Sequence, residues 1–244
     1  MRHLDLFSGI GGFALAAQWA GMQTIGFSEI DDFACKVLAK NFPKVPNLGN
    51  IKEIEGNECG SIDIITGGYP CQPFSGAGKQ RGKHDNRHLW PEMFRIIKTA
   101  RPAWVLCENV VGHIKLGLDE VLDDLEGEGY AARPIVIPAC ATDKIHRRDR
   151  VWILANSDSY GGDELFQKSF LEKHNAQSEI KPRGRRFCST RGYSTRETAS
   201  RILRRDDGVH NGAHRNKALG NAIVPQVAFE ILRCVAEIEK QSNR

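Results

Sequence analysis

The stretch Gly67-Gly68-Tyr69-Pro70-Cys71-Gln72-Pro73-Phe74-Ser75 puts a thiol on a Gly/Pro-rich loop directly after the apolar run Ile62-Asp63-Ile64-Ile65. Glycine opens backbone conformations closed to other residues and proline fixes φ, so such a loop is irregular and rigid at once. A thiolate held there is a candidate nucleophile, although a cysteine taken alone is more often a small buried hydrophobe.

A second constellation stands at the N-terminal end. Leu4-Asp5-Leu6-Phe7 reads as a short buried strand, Ser8-Gly9-Ile10-Gly11-Gly12 as a turn, and Phe13 to Ala20 as a helix that Gly21 can cap. Gly9-x-Gly11-x-x-Ala14 fits the nucleotide-binding fingerprint. Glu29, at the end of a strand from Thr24 to Ser28, lies 20 residues beyond Gly9, where a carboxylate accepts hydrogen bonds from ribose hydroxyls. An adenosine-containing cofactor is expected, with NAD a rival because the same turn cradles a pyrophosphate.

Glu108 supplies a carboxylate at the end of Ala103-Trp104-Val105-Leu106-Cys107, the continuous apolar run of a central parallel strand covered on both faces. Functional groups in open α/β sheets gather beyond the carboxyl ends of strands, where Cys71 and Glu108 would both sit. In His146-Arg147-Arg148-Asp149-Arg150-Val151-Trp152 charges run into another strand, and alternation puts Arg148 and Arg150 on one face. That face is either a surface ion-pair stripe or part of an active site.

The remaining elements must hold these groups. A helix from Leu89 to Ala100 carries Leu89, Met93, Ile96 and Ile97 on one side and is stopped by Pro102. Val121 to Tyr130 is an acidic helix and turn, and Ile135-Val136-Ile137 starts a strand. Near the end, Val224, Val227, Ala228, Ile231, Leu232, Val235 and Ile238 form a stripe at helical spacing that must pack on the core.

Composition bounds the class. With 244 residues, 41% hydrophobic and 26% charged, the chain suits one α/β core with a small appendage. Its seven cysteines form no C-x-x-C pair and leave an odd number, which argues against a disulfide framework and against a zinc site. No apolar stretch approaches the roughly 20 residues that span a bilayer. A cytoplasmic protein with no metal and no membrane partner is expected, monomeric by default since no sustained heptad occurs. The net charge of +4 is compatible with a nucleic-acid partner. Between Lys181 and Arg205 nine Lys or Arg face one acid, Glu197, whereas Asp119 to Glu128 holds six acids and no base.

The order of these motifs along most of the chain resembles that of the DNA cytosine C5 methyltransferases. Pro70-Cys71-Gln72 is similar to their catalytic loop, and Glu108-Asn109-Val110 to their Glu-Asn-Val motif. Arg148 and Arg150 match their Gln-x-Arg-x-Arg motif, from which His146 departs. The resemblance implies a Rossmann-like S-adenosylmethionine-dependent methyltransferase fold: a mostly parallel sheet with helices on both faces and a small recognition segment. Residues 1–155 would form the first part of the catalytic domain, 156–209 an unusually short target recognition region, and 210–244 a segment returning to the catalytic domain. S-adenosylmethionine would be the cofactor, bound through Phe7, Gly9, Ile10, Gly11 and Gly12, then Glu29 and Ile30, and Asn50 and Ile51, with Pro70, Leu89, Asn221 and Ile223 completing the pocket. At position 50 the family usually has Asp. Cys71, Glu108, Arg148 and Arg150 would be the catalytic set, and double-stranded DNA the partner, with the target cytosine flipped out of the duplex. Residues 76–87 would be a flap that closes over the nucleic acid. A tRNA cytosine C5 methyltransferase and a catalytically silent DNA- or cofactor-binding regulator remain as alternatives.

Overall fold

The computed structural model describes residues 1–70, 89–138, 149–157 and 222–242. Six strands form one sheet: β1 (Arg2–Leu6), β2 (Gln23–Ser28), β3 (Ile64–Gly67), β4 (Trp104–Val110), β5 (Tyr130–Pro138) and β6 (Asp149–Ser157). Their order is β2-β1-β3-β4-β6-β5. The first four run parallel, while β6 lies antiparallel between β4 and β5. The sheet is thus mixed, as a mostly parallel α/β fold allows for an edge hairpin.

Helices cover both faces. On one side lie α1 (Gly12–Trp19) and the last helix, α5 (Pro225–Ser242); on the other lie α3 (Trp90–Ala100) and α4 (Leu118–Gly127). Between β2 and β3, α2 (Asp32–Asn41) packs Leu38 on Ala14 and Phe27. Its N-terminus is capped by Asp31, which accepts from Phe33 N and Ala34 N and so satisfies two otherwise orphaned donors.

Strand β4 explains why its sequence is apolar without alternation. Trp104 and Leu106 join the α1/α5 core while Val105 and Cys107 join the α3/α4 core, and all four are at most 1% exposed. The C-terminal stripe packs as its spacing requires: Val227, Ala228, Ile231, Leu232, Val235 and Ile238 are buried against α1 and the sheet. Each large aliphatic side chain so buried contributes about 1.5–3 kcal/mol. Several boundaries differ from expectation, most of them by one or two residues. α4 begins at Leu118, with Leu118, Val121 and Leu125 forming its buried face; β5 begins at Tyr130; and α3 begins at Trp90, whose fully buried indole donates to Asp124 Oδ2 at 2.7 Å and ties α3 to α4.

A polar chain crosses the first three strands inside this core. His3 Nδ1 lies 2.9 Å from Thr24 Oγ1, His3 Nε2 lies 2.7 Å from Thr66 Oγ1, and the Thr66 hydroxyl donates to Asp5 Oδ1 at 3.2 Å. Thr66 has one proton and gives it to Asp5, so Nε2 donates to Thr66, and in a neutral imidazole Nδ1 then accepts from Thr24. Burial pushes the His3 pKa down to about 3, and burial also pushes the Asp5 carboxyl well above the usual range, against its hydrogen bonds from Thr66 and Ala14.

The sign for His3 follows from linkage. Its folded pKa is depressed, so the stability it contributes is whole above the unfolded value of 6.5 and is lost as pH falls toward about 3. Asp5, with a raised folded pKa, acts in the opposite direction, its contribution being lost as pH rises. Comparing the wild type with His3→Gln isolates the histidine, because Asp5 is present in both. The stability gap between the two is expected to shrink by about 2 kcal/mol between pH 7 and pH 5. Urea unfolding at the two pH values measures it, and a constant gap would mean that His3 is not buried neutral.

Candidate active site

The carboxyl ends of β1, β3 and β4 lie side by side, with Leu6 opposite Gly67 and Gly67 opposite Cys107. Because β6 runs the other way, it begins at this edge, and Arg150 pairs with Val110. One rim therefore carries the turn after β1, the segment Gly68–Pro70 after β3, Glu108 and Arg150.

Glu108 lies inside β4, not beyond it, directly across from Trp152, and its residue is 7% exposed. Diagonal neighbours on one face of an antiparallel pair are within reach of long side chains. Arg150 Nε accordingly reaches to 2.8 Å from Glu108 Oε1 in a largely buried ion pair. The other oxygen, Oε2, faces the backbone after β3: a Cβ added to Gly68 would lie 3.4 Å from it. Asn109, also buried, donates from Nδ2 to the Tyr69 carbonyl oxygen at 3.3 Å. The acid and the chain leading into the expected nucleophile are thus held together. Cys71 and Arg148 lie outside the described residues; half-buried Pro70 is the last one described before Cys71.

At the other end of the rim, the turn after β1 is built from left-handed backbone. Phe7, Gly9 and Gly11 have φ of 54°, 54° and 86°, and Phe7 is one of two non-glycine residues with positive φ among those described. Such a conformation is disfavoured for a bulky side chain and persists where neighbours over-determine it. Two contacts do so: Ser8 Oγ donates to the Asp5 carbonyl at 2.6 Å, and Gly9 N donates to Glu29 Oε2 at 2.7 Å. Glu29 Oε1 also accepts from Ile30 N and Asp31 N, both at 2.8 Å. The carboxylate fastens the glycine turn to the end of β2, while Ile30 beside it stands 70% exposed. Ile10 is half-buried.

Gly12, the first residue of α1, is where the C-terminal segment meets this turn. A Cβ there would lie 2.6 Å from Ile223 Cγ1, closer than packed atoms approach. Ala favours a helix over Gly by about 1 kcal/mol, yet overpacking costs about 1–3 kcal/mol, so the contact decides the sign. Gly12→Ala is expected to lower stability in urea unfolding, and the added change Ile223→Ala to recover part of that loss; equal stability of Gly12→Ala and wild type would overturn the contact. Asn221 is outside the described residues.

The remaining pocket candidates are placed less uniformly. Asn50 caps the short 3-10 turn Ile51–Glu53, its Oδ1 accepting from Lys52 N at 3.2 Å. Ile51 is buried in the α3/α4 core. Arg95 of α3 clamps this turn through the carbonyls of Ile51 and Ile54, at 3.0 and 2.6 Å. Leu89 is half-buried at the N-terminal end of α3. Sequence reasoning did not single out Arg95, nor the pair formed by Tyr69 Oη and His113 Nε2 at 2.7 Å; both bring together residues more than 40 positions apart, for which local spacing carries no signal. Among the described residues no cluster of His, Cys, Asp or Glu is set to hold a metal ion, and no helix is long and apolar enough to cross a membrane.

Comparison with known proteins agrees with this layout. The chain is 35% identical over 187 residues to the type II methyltransferase M.HgiCII of Herpetosiphon aurantiacus, covering 73% of this chain and 42% of that protein. To M.BsuFI of Bacillus subtilis it is 30% identical over 217 residues, covering 85% and 51%. The chain thus spans about half the length, or less, of the curated relatives it matches. The crystal structure of a prophage-encoded Escherichia coli protein described as a DNA modification methyltransferase superposes with a TM-score of 0.59 at 28% identity, over 68% of this chain and 50% of that one. S. pombe Dnmt2 methyltransferase shares the fold, with a TM-score of 0.56 at 23% identity over 68% and 55% of the two chains. A sequence model described as C-5 cytosine-specific DNA methylase matches residues 1–215, and the chain belongs to that family.

Proposed function

We propose that the protein methylates C5 of cytosine in double-stranded DNA, with S-adenosylmethionine as methyl donor. The observation that carries the reading is the buried Glu108–Arg150 ion pair beside the backbone that runs into Pro70-Cys71. C5 of cytosine is a weak nucleophile, and addition of the Cys71 thiolate to C6 places electron density on it. Glu108, at the Watson–Crick edge, would hold N3 and the exocyclic amine and share a proton with N3 as charge develops in the ring. Arg150 keeps that carboxyl oriented. After transfer, loss of the C5 proton and expulsion of Cys71 restore the ring.

The rim after β1 fits an adenosine-type ligand: left-handed backbone at Gly9 and Gly11, the Glu29 carboxylate, and exposed apolar Ile30 within one short stretch. Phe7, Gly9 to Gly12, Glu29, Ile30 and Asn50, with Ile51, Pro70, Leu89, Asn221 and Ile223, would hold S-adenosylmethionine. Bound there, it supplies an electrophilic methyl group. Neither C6 nor N3 is accessible in a duplex, so the base must leave the stack, and Arg148 with Arg150 would help to hold it. Residues 156–209 would read the flanking DNA, their basic run from Lys181 to Arg205 tracking phosphates.

The test is incubation with methyl-labelled S-adenosylmethionine and a mixture of duplex DNA and tRNA, then digestion to nucleosides and mass spectrometry. Label in 5-methyldeoxycytidine is expected. Label in 5-methylcytidine would move the substrate to tRNA, and no label with the cofactor bound would leave a binding role.

A further inference from the structure

We infer that Tyr69 and His113 form a positioning pair that sets the nucleophile loop against Glu108; the inference rests on the methyl-transfer reading above. Tyr69 is two residues before Cys71 and His113 is five residues after Glu108, so each sits on one of the two chains that carry the chemistry. Their polar tips meet at 2.7 Å, with residue exposures of 3% and 2%. The two rings are also packed edge to face, 5.4 Å between centroids. Such a contact defines both distance and orientation, as an apolar contact alone does not.

Three features aim this pair at the site and not merely at the core. Gly67 and Gly68 precede Tyr69 and carry no side chains of their own to fix the path of the chain. The Tyr69 carbonyl is held by Asn109 Nδ2 at 3.3 Å, so Tyr69 is tied at backbone and side chain to residues flanking Glu108 on the same segment. The Tyr69 ring also packs against Trp90, 5.2 Å between centroids, and Trp90 is itself anchored on Asp124. The ring is therefore held by Trp90 and by His113 of the turn Val111–Lys115. These ties hold the Tyr69 main chain in place, and a shift of that main chain would carry Pro70 with it. Misplacement of a reacting group by about 1 Å costs on the order of a hundredfold in rate, whereas loss of one hydrogen bond with the ring retained moves it less.

Tyr69→Phe removes only the hydroxyl and keeps the packing. The experiment is single-turnover capture of the protein on duplex DNA of random sequence with 5-fluorocytosine in place of cytosine, in the presence of S-adenosylmethionine. Fluorine cannot leave C5 as a cation, so the final elimination is blocked and the thiol adduct accumulates. For Tyr69→Phe the adduct is expected to form about tenfold more slowly than for the wild type. The dissociation constant for S-adenosylhomocysteine and the urea midpoint should stay close to the wild-type values. Tyr69→Phe/His113→Gln should be no slower than the slower single variant, since the two substitutions remove one contact. A wild-type adduct rate in Tyr69→Phe overturns the inference, as does a slower rate matched by an equal loss of cofactor affinity or stability, which would make the pair merely structural. If the wild type itself forms no adduct, the methyl-transfer reading fails and takes the inference with it.

Discussion

Cys71→Ala is expected to abolish methyl transfer, with a loss of at least about ten-thousandfold, while S-adenosylmethionine still binds within about threefold of the wild-type affinity. The size of the effect comes from the ring chemistry. Without addition at C6, C5 must attack as part of an intact aromatic ring, and the binding of base and cofactor does not replace that activation. Among the described residues, the thiols nearest in sequence to the site are poor substitutes. Cys107 immediately precedes Glu108 but is fully buried, and burial pushes its thiol far above the ordinary range. Cys35 and Cys59 are likewise raised, first by burial and then by the carboxylates of Glu29 and Glu58. A thiol is reactive as thiolate, and these shifts favour the protonated form. The glycine turn proposed to hold the cofactor stands on β1, β2 and Ile223, none of which Cys71 touches in sequence, so the binding arm of the experiment is a clean control. Transfer by Cys71→Ala at the wild-type rate would remove the covalent route.

What the sequence disclosed, and what it withheld, divides along one physical line. Burial on both faces writes itself as an unbroken apolar run, and β4 was readable from Trp104 to Cys107 for that reason. Burial of one helix face writes itself at helical spacing, as in Val227, Ala228, Ile231, Leu232, Val235 and Ile238. The glycine turn after β1 was legible because only a few residue types accept its backbone angles. Strand direction leaves no such mark: β6 is antiparallel to both neighbours yet is buried as continuously as β4, and the reversal that brings Arg150 to the rim is visible only in the pairing. Glu108 was expected beyond its strand because hydrophobicity stops at Cys107, yet the ladder to Trp152 and Val151 continues through Glu108 and Asn109. His3 is polar in type and fully buried in fact, since its partners Thr24 and Thr66 stand on the two flanking strands. Asn50 is also a local cap, a role set by the turn that follows it, which its place in a motif did not announce.

Glu108→Gln should separate holding the base from activating it. Glutamine has the same shape, and its amide can still donate to N3 and accept from the exocyclic amine, so DNA binding should change no more than a few-fold. It cannot share a proton with N3 as electrons move into the ring, and kcat is expected to fall about a thousandfold. The ion pair sharpens the comparison. Arg150 Nε sits 2.8 Å from Oε1. With glutamine in place, that guanidinium loses its counter-charge, whereas Arg150→Ala takes this cation away from a nearly buried carboxylate, and breaking a buried pair costs several kcal/mol. The two variants should therefore fail differently: Glu108→Gln folded and slow, Arg150→Ala slow and also less stable. Single-turnover rates beside urea midpoints distinguish them. A Glu108→Gln protein within about threefold of the wild-type rate would mean that the carboxyl only holds the base and that N3 takes its proton from elsewhere.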